Sequence, residues 1–249
     1  MRFRFKAFAW HLFGSASALS MTLCFLYLGW YHWPGWYLAN MPAVLAIMVG
    51  VDVVLGPLLT FIIADPGKTR RVLARDLGCI VLVQLVAFTY GTITLWNGRP
   101  LYYAFSVNCL SVVQAQDLEH GSTASARNAA LAPHWYSLPR WIWAPLPNDS
   151  DEARKIVQSA VQGGYDVTAR PGYFRPWASG AAELRGQLKR VDDIKFFSLK
   201  EKELLKARMT VMGLAPDRAD AIPLTGRKRP LLAVFDPSNL RLLAYIEPN

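Results

Sequence analysis

Charge is what this 249-residue chain has least of: 18% of its residues are Asp, Glu, Lys or Arg, where soluble chains average about 25%. The deficit is uneven. Residues 1–100 hold eight Lys/Arg and three Asp/Glu, whereas residues 101–249 hold nineteen and fifteen. That pattern excludes a single water-soluble globule, a disordered chain and a fibre. Cysteine is scarce too. Cys24, Cys79 and Cys109 have no short spacing between them, so neither a disulfide framework nor a zinc site is indicated. The motifs of common catalysis are missing as well. There is no Gly-rich phosphate loop, no H-E-x-x-H, no C-x-x-C and no G-x-S-x-G. The chain therefore reads as non-enzymatic, with no cofactor and no metal. Asp117, Glu119 and His120 are its tightest acid–His group, and a lone loop cluster of this kind is usually a solvated surface.

What is present is apolar length. A helix needs about 20 apolar residues to cross a bilayer. Three stretches qualify: about 10–30, 41–64 and 77–96, and Asp52 is their single charged residue. Ala16-Ser17-Ala18 has the form of a signal-peptide cleavage site, but the apolar run continues to Trp30, so the first stretch reads as an uncleaved anchor. Orientation follows from the loops. Arg2, Arg4 and Lys6 precede the first span, and Lys68, Arg70, Arg71 and Arg75 lie between the second and third. The loop 31–40 has neither Lys nor Arg. Basic loops stay on the cytoplasmic side. The N-terminus is thus expected on the cytoplasmic side, residues 1–100 in the membrane, and residues 101–249 exported to the far side. The net charge of +9 is then mostly topological and not a nucleic-acid footprint. Nine tryptophans suit a protein whose partners include the lipid bilayer.

Asp52 lies about halfway along its span. A carboxyl at that depth must be protonated, paired or turned toward protein. Gln84 and Tyr90, or His11 and Ser15, are candidate hydrogen-bond partners within the bundle. The other readings are that Asp52 meets a polar group on a partner's transmembrane helix, or that it lies on a proton or ion path. Pro57 removes one helical N–H, which is expected to kink the span near Val53 to Pro57 and to free the carbonyl of Val53. Gly14/Ala18 and Ala87/Gly91 are small pairs at i, i+4, the spacing that lets helices approach closely.

The stretch Asp52-Val53-Val54-Leu55-Gly56-Pro57-Leu58-Leu59-Thr60, followed by Asp76-Leu77, Gln84-Leu85, Tyr90-Gly91, Arg99-Pro100 and Phe105-Ser106-Val107, resembles in order and spacing the type IV pilin accessory proteins (the TfpX/TfpZ, FimB-like group). The family often places an acidic-basic pair after this valine; here Asn108-Cys109 follows. The resemblance implies an accessory factor or chaperone for type IV pilin, assisting pilin stability or pilus assembly by binding, in a bacterial inner membrane with residues 101–249 in the periplasm. Asp52, Gly56, Pro57, Gln84 and Tyr90 are the residues expected to meet the partner. The alternative is a membrane-anchored periplasmic ligand-binding or sensor protein.

Residues 101–249 read as an α+β domain with a C-terminal β-hairpin, after the three transmembrane helices. Tyr103, Phe105, Val107 and Cys109 alternate as in one strand. Residues 117–149 read as a loop, rich in Trp and Tyr, forming either an interfacial lid or a buried aromatic cluster. Helices are expected from Asp149 to Gly163, over Ala181–Val191, and from Ser198 to Met212. Arg170 to Trp177 reads as another loop. Leu231–Phe235 and Leu240–Ile246 flank the turn Asp236-Pro237-Ser238-Asn239. Arg227-Lys228-Arg229 is a basic run, either a solvated turn or a contact for anionic headgroups. The topology is checked with alkaline phosphatase fusions: a fusion after Trp96 is expected to be active and one at Arg71 inactive, and the reverse pattern contradicts the charge argument.

Overall fold

The apolar stretches of the first hundred residues have few ways to satisfy their backbone other than as helices. In the computed structural model, which describes residues 1–119, 129–216 and 219–248, they do form helices. α1 (Arg2–Leu26) continues into a π-helical turn, Tyr27–Tyr31. A one-turn helix, α2 (Gly35–Leu38), follows. The second long helix is built from α3 (Met41–Met48), a wide π-helical stretch Val49–Leu55, and α4 (Gly56–Ile63). The third is α5 (Arg70–Asn97). Three helices, of 30, 23 and 28 residues, are long and apolar enough to cross a membrane. They cover the three expected stretches, and the first and third reach past them at the N-terminal end. Phe13, Phe25, Ile47, Ile62, Leu82 and Val86 are all exposed on them, which suits lipid rather than water.

The chain divides into two compact units: Met1–His32 with Asn40–Arg99, and Trp33–Ala39 with Pro100–Asn249. Within the helical unit, Phe61 of α4 meets Phe5 and Phe8 of α1, with ring centroids 5.1 and 6.2 Å apart. Trp30 packs edge-on against Trp96 at 5.1 Å, and the Tyr31 hydroxyl donates to the Leu95 carbonyl at 2.7 Å. The two small-residue pairs behave differently. A Cβ on Gly91 would lie 2.6 Å from Met48 Cγ, so this glycine is what lets α5 close on α3; a Cβ on Gly14 would meet nothing within 4 Å.

The other unit is a mixed seven-stranded sheet in the order β4-β3-β1-β2-β5-β6-β7. Its strands are β1 (Pro100–Ser106), β2 (Cys109–Gln114), β3 (Arg140–Trp143), β4 (Arg175–Pro176), β5 (Asp220–Thr225), β6 (Leu231–Phe235) and β7 (Leu242–Ile246). β1–β3 and β2–β5 pair in parallel and the remaining neighbours antiparallel. Its helices are α6 (Ser150–Val161), α7 (Ala181–Gln187) and α8 (Leu199–Val211). Asp149 caps α6, accepting from the Asp151 and Glu152 amides at 2.9 and 2.8 Å, and Ser198 with Glu201 forms the capping box of α8.

Several expectations need correction. The strand through Cys109 ends at Ser106. Val107, with a positive φ of 51°, and Asn108 make a tight turn, and Ser106 pairs with Cys109. β1 is buried along its whole length, so the alternation had no exposed face to report. The loop expected over 117–149 contains β3, and the one over Arg170–Trp177 contains β4. Both pair with strands distant in sequence, which local patterning does not register. The helix over Ala181–Val191 stops at Gln187; Lys189 instead bridges Ala221 with mutual backbone bonds of 3.0 and 2.8 Å. β5 had no expectation at all. The C-terminal hairpin is as expected, with Asp236 accepting from the Ser238 amide at 2.9 Å in its turn.

The segment Trp33–Ala39 is part of the sheet unit, which a boundary at residue 100 leaves out. Leu38 is fully buried in one core with Phe105, Leu110, Leu224 and Leu231. The Arg227 amide donates to the Leu38 carbonyl at 2.7 Å, and Gln114 Nε2 donates to the Ala39 carbonyl at 3.2 Å. Arg227 also donates to Gln114 Oε1 and pairs with Asp117, each at 2.7 Å. A Cβ on Gly226 would lie 2.7 Å from the Leu38 carbonyl oxygen, so the approach requires glycine there. Leu38→Ala in the full chain is expected to lower unfolding stability by about 2–5 kcal/mol, as for other buried leucines. Denaturation followed by tryptophan fluorescence checks this, and an unchanged midpoint would contradict the shared core.

Candidate functional site

The second long helix carries its own irregularity. At the end of the wide stretch Val49–Leu55 the Gly56 amide donates to the Val51 carbonyl, five residues back instead of four. The next residue is Pro57, which has no N–H to give. Continued in that register, the orphaned acceptor is the carbonyl of Asp52, and this carbonyl accepts from Gln84 Nε2 of α5 at 3.0 Å. The same nitrogen lies 3.5 Å from the Val51 carbonyl. The expectation named the Val53 carbonyl, from a four-residue step; the carbonyl that finds its donor outside the helix is that of Asp52, one residue earlier, in line with the five-residue step of the π-helical stretch. Gly56 makes room for the contact, since a Cβ there would sit 1.8 Å from Gln84 Nε2.

Gln84 therefore serves the main chain of Asp52 and not its carboxyl. Asp52 is 3% exposed, and among the described residues neither of its carboxyl oxygens has a hydrogen-bond partner. Gln84 is 8% exposed and its Oε1 is likewise without one. The other expected bundle partners are placed elsewhere. His11 Nδ1 shares a hydrogen bond of 2.6 Å with Thr60 Oγ1, and Tyr90 is 75% exposed. Unpaired groups in such surroundings are costly, and in native structures they point to function.

Asp52 borders two cavities. One, of about 540 Å³, is lined by Ala7, His11, Gly14 and Ala18 of α1, by Asp52 and Thr60, and by Leu77, Gln84 and Phe88 of α5. The other, of about 270 Å³, is lined by Val44, Met48, Asp52, Ala87, Tyr90 and Gly91. Of the five residues expected to act together, Asp52, Gly56, Pro57 and Gln84 form one cluster, and Tyr90 lies on the rim of the smaller cavity. The His11–Thr60 pair was missed. Its only sequence signal is that Thr60 follows Asp52 by two helical turns.

The sheet unit absorbs its own candidates. Asp117 pairs with Arg227, Glu119 pairs with Arg170 at 3.5 Å, and His120 lies outside the described residues. Among the described residues no group of three His, Cys, Asp or Glu is placed to hold a metal. Arg227 and Arg229 of the basic run are drawn to Asp117 and Glu201. The aromatic stretch splits: Trp141 stacks on Tyr103 at 5.1 Å beside Trp177, whereas Trp135 and Tyr136 are exposed. Burial pushes the Tyr102 phenol up to about 12 and also raises Tyr103 and Tyr245.

A fimbrial assembly protein of Dichelobacter nodosus serogroups C1 and C2 is 30% identical to this chain over 116 residues, which are 88% of that protein and 45% of this one. The chain belongs to the fimbrial assembly protein family. A relative from serogroup I is 24% identical over 252 residues, 96% of this chain and 95% of its own. One from serogroup E1 is 22% identical over 228 residues, 89% of this chain and 86% of its own. The likeness to these fimbrial assembly proteins thus extends over both units. No protein-family profile and no solved structure matches the chain.

Proposed function

We propose that this fimbrial assembly protein acts in fimbrial biogenesis as an inner-membrane accessory factor, or chaperone, that binds type IV pilin without catalysis. The observation that carries the reading is a buried carboxyl with no internal partner, opening on cavities between helices long and apolar enough to cross a membrane. A pilin before assembly is an apolar membrane helix with a globular head outside. Its helper needs an intramembrane surface with one polar contact and a domain for the head. Asp52, Gly56, Pro57, Gln84 and Tyr90 belong to the first, and the sheet unit supplies the second.

The basic loops support a cytoplasmic N-terminus and a periplasmic sheet unit. The fold supports one part of this independently. Trp33–Ala39 shares a core with the strands that begin at Pro100, so both lie on the same side of any bilayer the helices cross. That requires an even number of crossings between them, and Met41–Ile63 and Arg70–Asn97 are two. The reading is tested by affinity purification of the tagged full chain from native membranes, together with a chromosomal deletion. Pilin is expected to co-purify and surface fimbriae to be lost. A pull-down without pilin and normal fimbriation would overturn it.

A further inference from the structure

Asp52 and Gln84, which both line the larger helical cavity, carry three acceptor atoms without a hydrogen-bond partner among the described residues: Asp52 Oδ1, Asp52 Oδ2 and Gln84 Oε1. Both residues are more than nine-tenths buried. Gln84 cannot relieve this by turning its amide, because its nitrogen is held by the Asp52 carbonyl at 3.0 Å. The nearby His11 is engaged with Thr60, and no ion pair among the described residues involves Asp52. The lining offers these three atoms no donor, although Ser15, His11 and Thr60 belong to it, and it holds no Lys or Arg; the rest is mostly apolar. Its natural occupant brings donors and positive charge.

We infer that the cavity receives the amino-terminal end of a partner's apolar helix, with the free α-ammonium group seated against Asp52 and Gln84. Resting on the proposed role in pilin binding, this names the part of the partner that is recognised. An ammonium group carries three N–H donors, matching three orphaned acceptors. The first turn of a helix adds further unsatisfied N–H groups, and its positive dipole end favours a carboxylate. A lysine side chain fits less well. Its long stem lets the charge rise toward the headgroups, and it brings no helix end with it. The α1 wall is shaped for a helix. Ala7, Gly14 and Ala18 line the cavity, and the space beside Gly14 is open to 4 Å. Small residues of this kind allow two helices to approach closely.

The test uses the full chain in lipid nanodiscs and a synthetic Leu/Ala helix that begins at a free α-amine and ends in a polar tail. Its twins are the same peptide N-acetylated, and the N-acetylated peptide with lysine at its first position. The free-amine peptide is expected to bind at least about tenfold more tightly than the acetylated twin, as for a charge pair taken out of water. Asp52→Asn should shrink that ratio to below about threefold, while Asp65→Asn, outside the cavity, should leave it intact. Because the acetylation arm uses the unaltered protein, a folding defect in the variant cannot mimic the result. Equal binding of the free and acetylated peptides, a ratio unaffected by Asp52→Asn, or full recovery by the lysine twin would overturn the inference. Pilin capture separates this from the broader reading. Equal capture by the unaltered chain and by Asp52→Asn leaves the pilin role standing and removes the ammonium site. Amine-selective peptide binding without pilin capture does the opposite.

Discussion

Gln84 reaches from α5 to the main-chain carbonyl of Asp52, and the arrangement of the candidate site turns on that one bond. Pro57 makes it necessary by leaving a carbonyl without its helical donor. The π-helical stretch Val49–Leu55 decides which carbonyl is left, and Gly56 provides the space in which the amide can lie. A side chain that would otherwise be the obvious partner for the Asp52 carboxyl is thereby committed to the backbone. Two irregularities that look like defects, a proline and a widened turn inside a long apolar helix, together leave a carboxyl buried and unsatisfied. In hydrocarbon, where unpaired polar groups are expensive, such an arrangement is best understood as incomplete until another molecule joins it.

A second constraint acts on the sheet unit. Leu38 enters the core of that unit, and Arg227, Gln114 and Gly226 hold the segment around it. The short stretch between the first two long helices therefore does more than connect them. Its residues Trp33–Ala39 are part of the folded sheet unit through buried contacts.

Much of this was legible in the sequence because membrane physics is a strong filter. Long stretches without charge gave the three helices, and Asp52 stood out as the one charged residue in them. The motif from Asp52 to Thr60 pointed to fimbrial assembly, and the relatives support that level of assignment. What stayed hidden depends on distance along the chain. β3 and β5 pair in parallel with strands far away, so their neighbours in sequence say little about them. The insertion of Leu38 into the sheet core is a contact across most of the chain's length. The role of the Asp52 carbonyl was not expected because a π-helical turn changes the hydrogen-bond step without leaving a distinct pattern of side chains. That Gln84 serves the Asp52 backbone and not its carboxyl could be learned only from the geometry.

The central claim is that Gly56, Pro57 and Gln84 work as one unit to satisfy the Asp52 carbonyl. A double-mutant cycle on unfolding in bilayers, with Gly56→Ala and Gln84→Met, tests it most directly. Each single change removes the same bond, the first by displacing the Gln84 amide and the second by deleting it. Each is expected to cost about 0.5–2 kcal/mol, the range for polar contacts between membrane helices. The double variant should then be no less stable than the weaker of the two single variants. Full additivity of the two costs would show that the residues act separately and would contradict the account.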